Sequence, residues 1–77
     1  MITETFTQIL RSYARRKPFK PFLVELMSGE RILVEHPEAL AYNGGAAAYI
    51  SPRGGFVMFD HESVSQVLDL NAEPSPS

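Results

Sequence analysis

The sequence predicts a mainly β fold: an N-terminal helix followed by a five-stranded, strongly bent antiparallel small barrel. Three observations carry this. Phe6, Ile9, Leu10, Tyr13 and Ala14 recur at helical spacing and form one apolar stripe. Phe22, Val24 and Leu26 then alternate with Leu23, Glu25 and Met27, and Ile32 and Val34 with Arg31, Leu33 and Glu35, which is the two-residue period of strands. Finally, Ser28-Gly29, Asn43-Gly44-Gly45 and Pro52-Arg53-Gly54-Gly55 punctuate the apolar runs with turn chemistry.

The helix is expected over about residues 4–17. Thr3 or Thr5 is placed to cap its start, and Thr5 with Gln8 has the capping-box spacing. Lys17 and the arginines before it stand at the C-terminal pole, where cations oppose the helix dipole, and Pro18 stops the helix by forcing the preceding residue out of helical geometry.

Pro18 and Pro21 keep the chain extended and donate no amide, so they suit the entry to a strand; Phe19 and Phe22 are expected to seal the helix onto the barrel. Met27-Ser28-Gly29 reads as a three-residue hairpin loop with Gly29 left-handed. That register sets Val24 opposite Ile32 and Phe22 opposite Val34. His36-Pro37 is expected to bend the second strand, which then continues through Glu38–Tyr42; a short helical turn over that stretch is the alternative. Asn43-Gly44-Gly45 turns into Ala46–Ser51, whose small alanines suit close approach by the helix or a neighbouring subunit. Around Gly54 a turn places Ile50 opposite Phe56 and leads into Phe56–Asp60. Asp60–Ser63 is expected as a tight helical turn before a last strand, Ser65–Leu70. Residues 1–70 thus read as one domain and 71–77 as a disordered tail with nothing to bury.

A chain of 77 residues has no room for a second core. At this size folding buries only ~60% of the unfolded surface, so self-association is expected. The absence of cysteine excludes disulfides and thiolate zinc sites and fits the cytoplasm. Met1–Thr5 lacks the pattern of a signal peptide, and no apolar run approaches the ~20 residues of a membrane span, so a soluble protein is expected. Net charge is −2, yet Arg11, Arg15, Arg16, Lys17 and Lys20 hold five of the seven basic residues inside ten positions. The remainder is acidic, so an anion-binding surface must be local.

Val24-Glu25-Leu26-Met27-Ser28-Gly29-Glu30-Arg31-Ile32, an apolar alternation broken by a glycine turn, is similar to the first motif of the Sm family, and Phe6 to Leu70 resembles an Sm-like small β-barrel. The second half departs from the RNA-binding members. Where those carry an Arg-Gly or Lys-His type signature between the fourth and fifth strands, this chain reads Phe59-Asp60-His61-Glu62-Ser63, so the resemblance does not imply RNA in a central pore. The lead Lys17–Phe22, Gly29 and His36-Pro37-Glu38 also resemble a group of small bacterial proteins to which no activity is assigned.

His36, Glu38, Asp60, His61 and Glu62 could together hold a metal ion only if the bend of the second strand met the end of the fourth. Their spacing reads instead as turns and strand ends. Ser63 and Ser65 lie near His61 but lack the third group and the nucleophile elbow of a catalytic site. No catalytic, cofactor or metal residue is therefore assigned, and an enzyme is not expected. The basic cluster could grip phosphates or an acidic partner, against the plainer reading of a solvated helix face with favourable dipole placement. An open barrel also leaves edge strands, and the Sm resemblance implies joining them between copies into a ring, with Val57, Phe59, Val67 and Leu68 as candidate contacts. The expected function is self-association or binding of a protein partner, with RNA on the basic helix as the alternative and no membrane role.

Overall fold

The structure is a computed structural model describing residues 1–52 and 54–70. Helix α1 (Thr3–Ala14) is followed by strands β1 (Phe22–Leu26), β2 (Arg31–Val34), β3 (Leu40–Asn43), β4 (Ala46–Ile50), β5 (Phe56–Asp60) and β6 (Val64–Asp69). The strands form two three-stranded antiparallel sheets, ordered β2-β1-β6 and β3-β4-β5.

Two expectations are corrected by this topology. There are six strands, not five, and they do not close into a barrel. The cause is local. Pro37–Ala39 forms a 3-10 turn in which the Ala39 amide bonds the His36 carbonyl at 3.0 Å, and this turn converts the expected bent strand into β2 and β3 on separate sheets. A hollow of about 240 Å³ opens where the sheets part, between β2 and Tyr49, Ser51 and Val57.

The hairpin registers are those the turn chemistry requires. Phe22 faces Val34 and Val24 faces Ile32, while Leu26 and Glu30 close the loop with a 2.8 Å bond from the Leu26 amide. Gly29 sits at φ +94°, the left-handed region that other residues rarely enter. Ile50 faces Phe56 across the β4–β5 turn. The Asp60–Ser63 segment is a turn rather than the expected short helix, and the last strand starts at Val64.

Helix α1 begins with Ile2 in the capping position and no side-chain cap, so neither threonine does the expected work. Tertiary contact replaces the cap: His61 Nδ1 donates to the Met1 carbonyl at 2.8 Å, fixing the entry into the first turn. The helix ends at Ala14, short of Lys17, because Arg16 leaves it to pair with Asp69 of β6. Between these ends α1 spans both sheets. Phe6 packs edge-on against Phe59 of β5 with ring centroids 6.2 Å apart, and Tyr13 lies 5.2 Å from Phe22 of β1, with Phe19 against the same ring. The core is completed by Leu10, Val24, Val34, Tyr49 and Val64, and the Tyr49 hydroxyl accepts the Glu35 amide at 3.1 Å. The expected disorder of 71–77 lies outside the described residues.

Candidate functional site

Strand alternation gives the second sheet an inner and an outer face. Leu40, Ala47, Tyr49 and Phe59 point into the core. Outward, the register stacks three cross-strand rows: Ile50 with Phe56; Ala41, Ala48 and Met58; and Asn43, Ala46 and Asp60. Ile50, Phe56 and Met58 are 58, 62 and 69% exposed, among the largest apolar exposures in the described chain. Beside them a shallow hollow of about 280 Å³ lies over Ala41, Ala46 and Ala48, walled by Met58. The alanines expected to admit a close neighbour therefore split: Ala47 faces the core, whereas Ala46 and Ala48 leave a concave floor outside.

The four residues expected at an interface are distributed differently. Phe59 is only 6% exposed and sits in the core, and Val57 and Val67 are half-buried against it. Leu68 lies outward on the first sheet, aligned with Leu23 and Leu33. The exposed apolar side chains of β5 are Phe56 and Met58. Sequence reasoning missed them because Phe-Val-Met-Phe contains no polar residue to reveal the strand's parity. The pairing of Ile50 with Phe56, already readable from the turn, held that information, since Tyr49 and Val57 must then share the other face.

The basic cluster is likewise divided. Arg16 is committed to the fold: Nη1 donates to Asp69 Oδ1, Nη2 donates to the Lys20 carbonyl at 2.9 Å, and the guanidinium lies 4.7 Å from the centre of the Tyr13 ring. Arg11, Arg15, Lys17 and Lys20 are exposed, with no ion pair among the described residues. Four solvated cations thus surround one structural arginine.

The polar residues do not converge. His36 pairs with Glu38 at 3.2 Å within its own turn. The His36 carbonyl, rather than its ring, satisfies the backbone of the bend. His61 is turned to the Met1 carbonyl and packs 6.4 Å from the Phe6 ring. Asp60 accepts both the amide and the hydroxyl of Ser63, at 2.9 and 2.8 Å, which holds its carboxyl below the ordinary value and ties Ser63 to Asp60 instead of His61. On the first sheet Glu25 accepts from Gln66 Nε2 at 2.6 Å and from Arg31 Nε at 3.1 Å, and these bonds lower its pKa. Among the described residues no three His, Asp or Glu side chains are grouped to hold a metal ion, and no helix is long and apolar enough to cross a membrane.

The chain is thus a small mainly β protein whose most distinctive surfaces are an apolar sheet face and a basic helix end. No protein-family model matches it, nor does any curated protein or solved structure.

Proposed function

We propose that this is a non-enzymatic, cytoplasmic protein, Sm-like in its strand order, that acts by self-association or by binding another protein. The observation that carries the reading is the outer face of β3-β4-β5, where Ile50, Phe56 and Met58 expose large apolar side chains next to an alanine-floored hollow. A clustered, concave apolar surface marks an interaction site more often than scattered exposed residues do. The Sm-like element of the reading is supported by order: β6 returns to pair with β1, and β2 leads into β3 through a three-residue turn, giving the sequence of neighbours 6-1-2 and 3-4-5. β2 and β6 are the edges of one sheet and β3 and β5 of the other, and a ring would form by joining β5 of one copy to β6 of the next.

The test is solution mass. Light scattering on the full chain is expected to give more than the 8.6 kDa of one copy at high micromolar concentration, and Phe56→Glu is expected to lower it. A clean monomer across the range would overturn self-association. A second reading, RNA on the basic helix end, is favoured by the four exposed cations around Arg16, which form no ion pair among the described residues.

A further inference from the structure

We infer that β5 is a two-fold pairing edge, to which β5 of a second copy adds antiparallel, with Phe56 of each copy beside Met58 of the other. This rests on the self-association reading and gives it a two-fold form in place of a ring. The main chain fixes which groups are open. Bonded and non-bonded residue pairs alternate along an antiparallel ladder. At one end of β4–β5 the Ser51 amide bonds the Gly55 carbonyl, and at the other the His61 amide bonds the Gly45 carbonyl, each at 2.7 Å. With the register between them, Val57 and Phe59 turn their amides and carbonyls to β4, while Phe56, Met58 and Asp60 turn theirs to the free edge. The Asp60 carbonyl receives the Ser63 amide at 3.1 Å. Among the described residues no bond takes the main-chain groups of Phe56 or Met58.

Exposed edges are normally guarded by a charge, a proline, a bulge or a covering element. The Glu35 amide at the end of β2 is taken by the Tyr49 hydroxyl, α1 packs beside β3, and β6 carries Asp69 clamped by Arg16. Phe56-Val57-Met58-Phe59 has no such guard. This edge is also complementary to itself. A two-fold axis normal to the sheet, beside Val57, brings Phe56 of each copy against Met58 of the other, and each such pair exchanges two main-chain bonds. Val57 then faces its counterpart. Both outer faces lie on the same side of one continuous sheet, each phenyl ring meets a thioether, and Asp60 falls opposite Gly54 instead of a like charge. The rival strand within the chain, β6, has the wrong parity. Because Leu26 bonds Glu30, Leu23 and Glu25 bond Leu68 and Gln66, which leaves the groups of Val67 and Asp69 at the β6 edge. Those two residues align with the buried Val24 and Phe22. Bonded neighbours in an antiparallel pair share a face, so β6 would have to lay its core side outward to meet β5, whereas β5 of a second copy meets it outer face with outer face.

The chain has no cysteine, so a single introduced thiol reports the pairing. Val57→Cys sets two thiols across the axis with Cα atoms about 4.5 Å apart, within disulfide reach, whereas Met58→Cys sets them on a diagonal beyond it. Under an added oxidant, Val57→Cys is expected to form covalent dimers about tenfold faster than Met58→Cys. Sedimentation velocity on the full chain over a concentration series gives the second readout. Phe56 opens β5, where proline is tolerated, and its amide makes no bond to β4. Phe56→Pro is therefore expected to raise the dimer dissociation constant about tenfold beyond the effect of Phe56→Ala, with the circular dichroism of the fold retained. The cysteine comparison decides alone if Phe56→Pro melts early. A wild-type chain that stays monomeric removes the self-association reading itself. If the wild type associates but grows beyond a dimer, or Met58→Cys crosslinks as fast as Val57→Cys, or proline and alanine weaken it equally, the β5 pairing is wrong and self-association stands through another surface.

Discussion

Arg16 shows how one residue of a charge cluster can be set apart by burial. Its guanidinium joins the end of α1, the approach to β1 and the end of β6 through Tyr13, Lys20 and Asp69, and its Nε is buried without a partner. A cation held this way depends on its carboxylate. Asp69→Asn should cost about 1–3 kcal/mol, lowering the melting temperature by several degrees in a domain of this size, because the partly buried charge loses its compensation. Arg11→Ala, on the exposed side of the same cluster, should leave the melting temperature unchanged; calorimetry on both variants separates the roles. Two carboxylates give a pH signature at this scale. Asp60 and Glu25 have folded pKa values below their ordinary ones, through bonds from Ser63 and from Gln66 and Arg31. Their stabilising contribution is therefore full above the unfolded values, near pH 4 to 4.5, and is lost as pH falls through the lower folded values. Ser63→Ala should lower stability at neutral pH and so flatten the acid limb of a stability–pH curve measured by urea unfolding, its difference from the wild type vanishing at low pH.

At the scale of elements, the β3–β4 turn is where helix and sheet meet most closely. Gly45 has φ +87° and is buried, and a Cβ there would lie 2.8 Å from Cδ2 of His61 and 3.3 Å from Thr3. Gly44 has φ +59° and open space around it. Both positions resist a side chain through backbone strain, but only Gly45 adds a collision with the contact that fixes the start of α1. Gly44→Ala should cost about 1 kcal/mol and Gly45→Ala distinctly more, above about 2 kcal/mol, in urea denaturation. Equal losses would show that the His61 packing carries no stability. The same comparison explains what the sequence revealed of this region. Asn43-Gly44-Gly45 announced the turn by its chemistry, whereas the approach of His61 and Thr3 to Gly45 joins residues distant in the chain and leaves no local signal.

For the whole molecule, the elements and hairpin registers were legible because glycine turns and alternating side chains are local. The closure was not. Pro37 indicated a bend, but the same proline suits both a bent strand that keeps one ladder and the 3-10 turn over Pro37–Ala39 that parts β2 from β3. The candidate surfaces follow the same division. Charge clustering could be read directly, while the inward position of Phe59 follows only when the Ile50–Phe56 register is carried along β5, and its contact with Phe6 comes from the opposite end of the chain. That contact also leaves the two surfaces on different parts of the fold: the apolar face belongs to β3-β4-β5, and the free cations belong to the end of α1 and the approach to β1. RNA binding and self-association are consequently separable by mutation. If the basic surface binds RNA, a labelled single-stranded oligonucleotide should bind at low salt, with affinity falling steeply as salt rises, because each neutralised phosphate releases condensed counterion. Arg11→Ala with Arg15→Ala should weaken that binding and shallow its salt slope by about one unit or more, while leaving the solution mass of the free protein unchanged. Phe56→Glu should do the reverse. Absence of binding at low salt would confine the cluster to solvation and dipole compensation, with Arg16 its one structural member.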